Sequence, residues 1–483
     1  MKEKSLKLNA TLNIIKQFMN LIFPLITFPY SSRILNPEGI GKVNFALSIV
    51  SYFAMFASLG IGKYATREAA KVRDDRFLLS KFAKEILTIN FSTTFLSYLL
   101  FFIAVFTVPQ FSSIKVLLCI CSSTILFSTL GVEWIYNAKE EYVYITVRGM
   151  VFQVISLILL FVLVHKPEDF MQYAAINVIS SVESNILNFI NLRRFIDFKL
   201  KIKKELKKHF KPILILFGAT IAISLYNELD KTMIGFLSSE KQVGFYSAST
   251  KISKLVISII TAILTVSSPR LSNYAEHNRE KFDELLKTTF NVILMLCLPF
   301  FAGLILMAKP LMLLFCGENF LPSVIIMQVM AFIIVDIPLA TFIHAQIFIP
   351  LRKDVYTFYS VLTGCIINAL CNVFLILKFK ALGAGIATVI AEISVTIISF
   401  IFVRKAGIKL LPLFKNAYQY ISATTLMGLA IILLKNFMNN NLLCLFIEIL
   451  TGIIIYFITL LLMKNKIVYS FYISFIGRLK KNI

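Results

Sequence analysis

The stretch VGFYSASTKISKLVISIITAILTV, residues 243–266, is long and apolar enough to cross a lipid bilayer as one α-helix, yet it carries two lysines. A transmembrane helix needs roughly 20 predominantly apolar residues at a rise of about 1.5 Å each. Ser247, Lys251, Lys254, Ser258 and Thr261 recur at i, i+4, i+7, i+11 and i+14, a spacing that lines them up on one helix face. If the helix enters the bilayer near Val243, Lys251 lies about 12 Å deep and Lys254 about 16 Å, close to the midplane of a core roughly 30 Å thick. From that depth neither ammonium easily reaches the interface. Each would cost on the order of 2.5 to 3.5 kcal/mol if it faced lipid, so the stripe faces a water-filled cavity or an anionic partner. Two readings follow: a cationic wall that receives a phosphate-bearing substrate, or a structural pairing of both lysines with buried carboxylates.

The rest of the chain has the same character. Of 483 residues, 58% are hydrophobic and 16% charged, against about 45 to 50% and 25% in soluble domains. Apolar runs separated by charged breaks predict fourteen spans, at about 11–32, 42–62, 86–108, 114–136, 143–164, 169–192, 212–237, 243–267, 288–308, 321–349, 355–377, 381–403, 416–437 and 442–463. The first run is too long for the apolar core of a signal peptide and lacks a small-residue cleavage site, so it reads as a retained span. With an even number of spans, and with Lys42, Lys115, Arg148 and Lys435 near span ends counted with the adjacent loops, 36 of the 49 Lys and Arg fall on one side and nine on the other. Lys16, Lys231, Lys251 and Lys254 remain inside spans. The positive-inside rule then places both termini in the cytoplasm, and it accounts for the net charge of +23 without nucleic acid as a partner. The seven cysteines form no CxxC or Cys/His cluster, so neither a disulfide framework nor a metal site is expected. Outer loops are all short, leaving no room for an extramembrane catalytic domain, and Trp134 reads as an interfacial anchor.

An internal repeat organises the spans. At an offset of 203 residues Ile40-Gly41 falls on Val243-Gly244. Asn44, Ser48, Ser51, Met55 and Ser58 then fall on Ser247, Lys251, Lys254, Ser258 and Thr261. Parallel repeats of this kind place a substrate site between halves. The expected organisation is an N-terminal six-helix bundle (1–192), a basic cytoplasmic linker (193–211), a C-terminal six-helix bundle (212–403), two additional helices (404–463) and a basic tail (464–483). The fold class is thus an all-α polytopic membrane protein with two bundles around a central cavity.

Other polar groups fall at membrane depth. Span 7 carries Thr220, Ser224, Asn227 and Lys231 at i, i+4, i+7 and i+11, beside Glu228 and Asp230. Lys231 is near enough to the outer edge for snorkelling to explain it equally. Span 1 presents Asn13, Gln17 and Asn20 on one face with Lys16 beside it. Asp336 and His344 stack at i and i+8 on span 10, and Glu392 lies at mid-membrane on span 12. These groups suit either a proton step or, the plainer reading, a hydrogen-bonded packing contact. No cofactor is called for, although a proton or sodium ion could couple to transport through Asp336, His344, Glu392 or Asp230.

The segments FPYSSRILNPEGIG (residues 28–41) and MFASLGIGKYATREAA (55–70) resemble the signature of polysaccharide or oligosaccharide flippases of the Wzx type. GVEWIYNAKEEYVYITVR (131–148), NELDKTMIGFLSSEKQVGFYSASTKI (227–252) and LLFCGENF (313–320) follow in the same order. The resemblance implies the fold of multidrug and toxic compound extrusion transporters and of lipid II flippases. It also implies translocation, by alternating access, of an undecaprenyl pyrophosphate-linked oligosaccharide from the inner to the outer leaflet for O-antigen, capsule or a similar surface polysaccharide. A polysaccharide polymerase is then a possible partner beside the membrane lipids. The family's cationic cavity positions would fall on Lys251 and Lys254, and also on Lys16 and Arg33, with Asp230-Lys231 matching its span 7 motif. The rivals are a cation-coupled drug antiporter of the same fold and a membrane glycosyltransferase or polymerase. Cationic drugs would favour a net negative cavity, opposite to span 8, and an enzyme would be expected to show a long outer loop.

Overall fold

The computed structural model describes residues 6–201, 203–408, 411–437, 442–470 and 473, and every regular element among them is helical. All fourteen runs read from the sequence coincide with helical stretches. Ten of these stretches are long and apolar enough to cross a membrane by length and composition. Two of the ten, Ile22–Lys71 and Asp354–Lys405, each contain more than one run.

The first α-helical stretch, α1 (Leu6–Ser58), is two limbs joined at Asn36, whose φ of 58° and ψ of 174° break the helix. The sequence accounts for the joint. Asn tolerates positive φ better than most residues, proline disfavours the α region for the residue before it, and Pro37 is preset to start the next limb. Then comes α2 (Ile61–Lys71), an amphipathic helix that buries Ile61, Tyr64, Ala65 and Ala69. It is followed by α3 (Arg76–Thr107), α4 (Lys115–Leu130), α5 (Glu133–Ala138) and α6 (Tyr142–Leu163). Asp75 caps α3 by accepting from the backbone N–H groups of Phe77 and Leu78. Span 6 is less regular: α7 (Phe170–Val178) passes through a π turn at Ile179–Glu183 into α8 (Ser184–Asn191).

Beyond the basic stretch lie α9 (Lys207–Leu237), α10 (Glu240–His277) and α11 (Arg279–Leu306). The short α12 (Ala308–Cys316) occupies what the sequence presents as an outer loop. Span 10 is built from α13 (Ser323–Met330), α14 (Ile333–Phe342) and a π turn at Ile343–Phe348. The long α15 (Asp354–Lys405) breaks at Lys380, where φ is 54° and ψ −129°, between the runs read as spans 11 and 12. The chain closes with α16 (Ala417–Phe437) and α17 (Leu442–Leu462).

Helix packing divides the chain into two compact units, residues 1–247 and 248–483. In lipid no hydrophobic force drives helix onto helix, so close packing and interhelical hydrogen bonds must hold each unit together. The first unit shows both. Gly41 on α1 and Gly244 on α10 meet so closely that a Cβ on Gly41 would lie 1.7 Å from the Glu240 carbonyl oxygen. A Cβ on Gly244 would lie 1.9 Å from that of Pro37. Hydrogen bonds cross between helices as well: Ser97 to the Phe53 carbonyl (2.6 Å), Thr93 to the Ala57 carbonyl (2.6 Å) and Tyr98 to the Ser122 carbonyl (2.8 Å).

One expectation is corrected here. Trp134 is not an interfacial anchor: it is 5% exposed and meets Phe82 edge-on with ring centroids 5.8 Å apart, inside a cluster with Tyr64, Ile86 and Ile135. That cluster is closed by a polar chain. The Tyr64 hydroxyl lies 2.7 Å from His209 Nδ1, and His209 Nε2 lies 2.8 Å from a Glu85 carboxylate oxygen. The same carboxylate takes Lys208 at 3.2 Å and the Glu205 backbone N–H at 3.0 Å. The start of α9 is thereby fixed to α2 and α3.

Candidate functional site

In the unit of residues 248–483 the polar stripe of α10 is built as its spacing predicts. Lys251, Lys254 and Ser258 are exposed and Thr261 is half-buried, while Ile252, Ser253, Ile257 and Ile260 on the opposite face are buried. Exposed basic side chains therefore sit on the same helix as a fully packed apolar face. The packed face is pinned by hydrogen bonds: Ser249 donates to the Ser323 carbonyl (2.9 Å), Gln346 to the Leu264 carbonyl (2.7 Å) and Ser268 to the Ala345 carbonyl (3.2 Å). With that register held, the lysine face cannot rotate away from the one it presents.

The same unit brings the acid and histidine of span 10 against α15. His344 Nε2 lies 2.9 Å from the Ser399 hydroxyl, and Thr396 donates to the Asp336 carbonyl at 3.3 Å. Glu392 is buried at 7% exposure one turn before Thr396, so Glu392, Thr396 and Ser399 form one face of α15 toward this seam. Asp336 is half-buried. His344 stands at the start of the π turn at Ile343–Phe348 that follows α14 and stacks on Phe348 with centroids 5.8 Å apart.

In the unit of residues 1–247 a second polar cluster forms among α1, α9 and the first turns of α10. Thr232 donates within 3.1 Å to the Ser48 hydroxyl and lies 3.1 Å from the Tyr52 hydroxyl. Ser48, fully buried, donates to the Phe45 carbonyl at 2.7 Å, and Ser51 to the Ser48 carbonyl at 2.7 Å. Asn44 is tied to the Ile40 carbonyl at 2.8 Å. Asp230 is buried and accepts from the Tyr246 hydroxyl. Lys231 is paired with Glu228 at 2.7 Å, both side chains largely covered. This pairing is the structural alternative to substrate binding, whereas Asn227, four residues earlier, is exposed. Ser247 is buried and Arg33 is exposed at the end of the first limb of α1. Lys16 and Asn20 lie outside the residues whose side chains are described.

Three participants carry no signal in the local sequence. Thr232 and Tyr52 join the cluster across 180 residues, a link that no local spacing announces. Tyr246 stands one residue before the polar stripe of α10 begins, and only the fold shows that it serves Asp230. No group of three or more His, Cys, Asp or Glu able to hold a metal ion occurs among the described residues.

The chain is 25% identical over 418 residues to the "Putative O-antigen transporter" of Escherichia coli (strain K12), a match covering 83% of this chain and 97% of that one. Its fold superposes on lipid II flippase MurJ in an inward closed conformation with a TM-score of 0.75, covering 95% of this chain and 99% of that one at 16% identity. An inward-facing multidrug resistance MATE family transporter gives a TM-score of 0.62 at 14% identity, covering 82% of this chain and 98% of the other. Identities this low speak for the fold alone, and the fold they speak for is the two-bundle architecture expected of the sequence. Residues 6–275, more than half of the length, match a single family, and the chain therefore belongs to the polysaccharide biosynthesis protein family.

Proposed function

We propose that this protein is a flippase that moves an undecaprenyl pyrophosphate-linked oligosaccharide from the inner to the outer leaflet of a bacterial cytoplasmic membrane by alternating access. The observation that carries this reading is the pair of exposed lysines, Lys251 and Lys254, on the polar face of an otherwise apolar membrane helix. A pyrophosphate and several sugars cannot cross hydrocarbon unaided, whereas the prenyl tail is at home there. What the head group needs is a hydrated, positively charged path. The lysines would pair with the pyrophosphate, while Ser258, Thr261 and Asn227 would hydrogen-bond sugars. The names of the relative and of the MurJ structure support a lipid-linked glycan as cargo, and the positive charge of α10 argues against cationic drugs.

The finer assignments belong to the same proposal. Both termini and the basic 193–211 segment face the cytoplasm, with the repeat units at 1–192 and 212–403 and two further helices at 404–463. Lys231, Lys16 and Arg33 take secondary parts in head-group binding, and a polysaccharide polymerase receives the product. Coupling to a proton or sodium ion is assigned to the Asp336, His344 and Glu392 seam.

Complementation of a strain lacking the protein tests the reading. Lys251→Ala and Lys254→Ala should each abolish surface glycan while leaving the protein in the membrane, and Lys251→Arg should restore part of it. Full complementation by both alanine variants would overturn the cationic-wall assignment. Reporter fusions at the 193–211 segment should read as cytoplasmic, and a periplasmic signal there would overturn the orientation.

A further inference from the structure

The basic segment between α8 and α9 takes no part in the proposed head-group wall, and it is not a loose connector. From 193 to 211 it carries nine Lys and Arg against two acids. Its backbone is sewn along the first turns of α3. The Ser80 hydroxyl accepts from the Asp197 N–H at 2.9 Å, and the Glu85 carboxylate accepts from the Glu205 N–H at 3.0 Å. Between them Lys84 donates to the Phe198 carbonyl at 2.7 Å and to that of Leu200. Ile196 and His209, 1% and 2% exposed, tuck inward at either end of this strap. A segment held in this way has little ordering entropy left to lose when a ligand arrives.

With those groups turned inward, the lysines are turned out. Lys199, Lys201, Lys203, Lys204, Lys207 and Lys211 are all exposed, and none of the six makes an ion pair among the described residues. The two acids of the segment are already taken. Asp197 accepts from the Lys199 N–H at 2.8 Å, and Glu205 pairs with Lys208 at 3.1 Å and with Lys81 at 3.6 Å. α2 extends the basic surface beside the strap: its Tyr64 meets His209, and its outer face leaves Lys63, Arg67 and Lys71 exposed, with Glu68 pairing to the last two.

The level of the strap selects the ligand. Phe77 and Leu78, in the first turn of α3, are 55% and 44% exposed, and apolar side chains so bare on a membrane helix face lipid. The strap lies against residues 80–85, a turn or two further along the same helix and just before the apolar run that begins at 86. It is therefore at headgroup depth. Phe198 and Phe210 are 41% and 43% exposed among the lysines, and basic residues mixed with aromatic ones suit the boundary between headgroups and acyl chains. A soluble polyanion would satisfy the lysines and leave both rings in water, whereas an anionic lipid surface takes charges and rings together. We propose that the docked 193–211 strap is a binding surface for anionic phospholipids of the phosphatidylglycerol type in the leaflet on its own side. Its exposed lysines hold the phosphates, and Phe198 and Phe210 rest among the upper acyl chains. The surface is separate from the lysines of α10 and stands whether or not the cargo assignment does.

Native mass spectrometry of the full-length protein in detergent, with phosphatidylglycerol and phosphatidylcholine of identical chains, tests the surface. Wild type should retain the glycerol lipid over the choline lipid. Lys203→Gln combined with Lys204→Gln should lower that retention roughly tenfold or more, since one basic residue at a membrane surface is worth about fivefold. Lys309→Gln combined with Lys378→Gln, which removes two exposed charges from the second unit, should leave it unchanged. Inorganic pyrophosphate should not displace the lipid. Depth is read separately by Phe210→Trp in liposomes: chains brominated near the headgroup should quench its emission more than chains brominated near the methyl end, above the background of Trp134, the one native Trp. Equal retention of the two lipids by wild type, a loss in the strap pair no larger than in the other pair, displacement by inorganic pyrophosphate, or no quenching in Phe210→Trp beyond the Trp134 background would overturn the assignment.

Discussion

Replacing Gly41 with alanine should force apart the crossing at which the sequence repeat meets itself. The added Cβ would stand 1.7 Å from the Glu240 carbonyl oxygen, 2.6 Å from its carbon and 2.9 Å from the Gly244 nitrogen. Ordinary contact begins near 3.2 to 3.4 Å, so the two backbones must separate by about 1.5 Å. No side-chain rotamer can absorb the change, because every atom in the way is main chain. A shift of that size across a packed face forfeits much of the dispersion attraction of Ile40 and Val243, both fully buried. Overpacking of this kind costs roughly 1 to 3 kcal/mol, and the backbone-on-backbone geometry puts it at the upper end, about 2 to 3 kcal/mol. At 1.4 kcal/mol per tenfold, the closed crossing loses roughly 30- to 150-fold in population relative to a parted one. The assay is alkylation of a cysteine placed at Val243 and read by mass spectrometry at that position. It should be protected in the otherwise native sequence and modified much faster when Gly41→Ala is added, with Gly244→Ala acting likewise through the Pro37 carbonyl, 1.9 Å from its Cβ. If position 243 stays equally protected in both alanine backgrounds, the close approach is not what keeps it covered.

Further outcomes follow from other parts of the molecule. Glu85→Gln weakens the hydrogen bonds of a carboxylate 1% exposed that takes both His209 and Lys208, so it should destabilise the detergent-solubilised protein by about 1.5 to 3 kcal/mol by thermal unfolding. Lys208→Gln, at the 47% exposed end of the same chain, leaves the carboxylate its bonds to His209 and the Glu205 backbone N–H and should cost less than Glu85→Gln. Asp169, in the loop before α7, accepts from the backbone N–H groups of His165 and Lys166 at 2.9 Å each, which holds its carboxyl below its usual value of 3.8. A depressed acid contributes stability that is present above the unfolded value and lost as pH falls through the folded one. The deficit of Asp169→Asn relative to wild type should accordingly be constant at neutral pH and vanish at pH values below the carboxylate range, and a deficit unchanged in acid would refute it. Asp336→Asn should slow turnover and flatten its pH dependence without altering substrate binding at equilibrium. In proteoliposomes, transport by that variant matching wild type at every imposed ion gradient would assign the carboxylate to packing.

The spans were legible in the sequence because each apolar run must satisfy its backbone internally, and a helix of bilayer length is the simplest way to do so. The face of Lys251 and Lys254 was legible for the same reason, since helical periodicity alone sets it. What escaped was hydrogen-bond register and long-range pairing. Hydropathy does not distinguish a regular span from one with a π turn, as at Ile179–Glu183 and Ile343–Phe348. The Tyr64, His209 and Glu85 chain joins residues 145 and 124 positions apart. Arg148 escaped because a basic residue near the end of a span is ordinary, and only the fold shows that it is buried with Nε and Nη1 unpartnered among the described residues. Trp134 misled because an aromatic near a span end usually marks the interface, whereas here α2, α3 and α9 cover it.

The most direct test of the central claim is transbilayer movement of a fluorescent undecaprenyl pyrophosphate-linked oligosaccharide in proteoliposomes containing wild type, Lys251→Ala, Lys254→Ala or Lys251→Arg. Loss of one charge-assisted contact to the pyrophosphate, about 1.5 to 3 kcal/mol, should slow movement roughly 10- to 100-fold in either alanine variant. The arginine variant should retain a measurable part of the wild-type rate. Wild-type rates in both alanine variants, at equal protein incorporation, would contradict the assignment of these lysines as the wall that receives the head group.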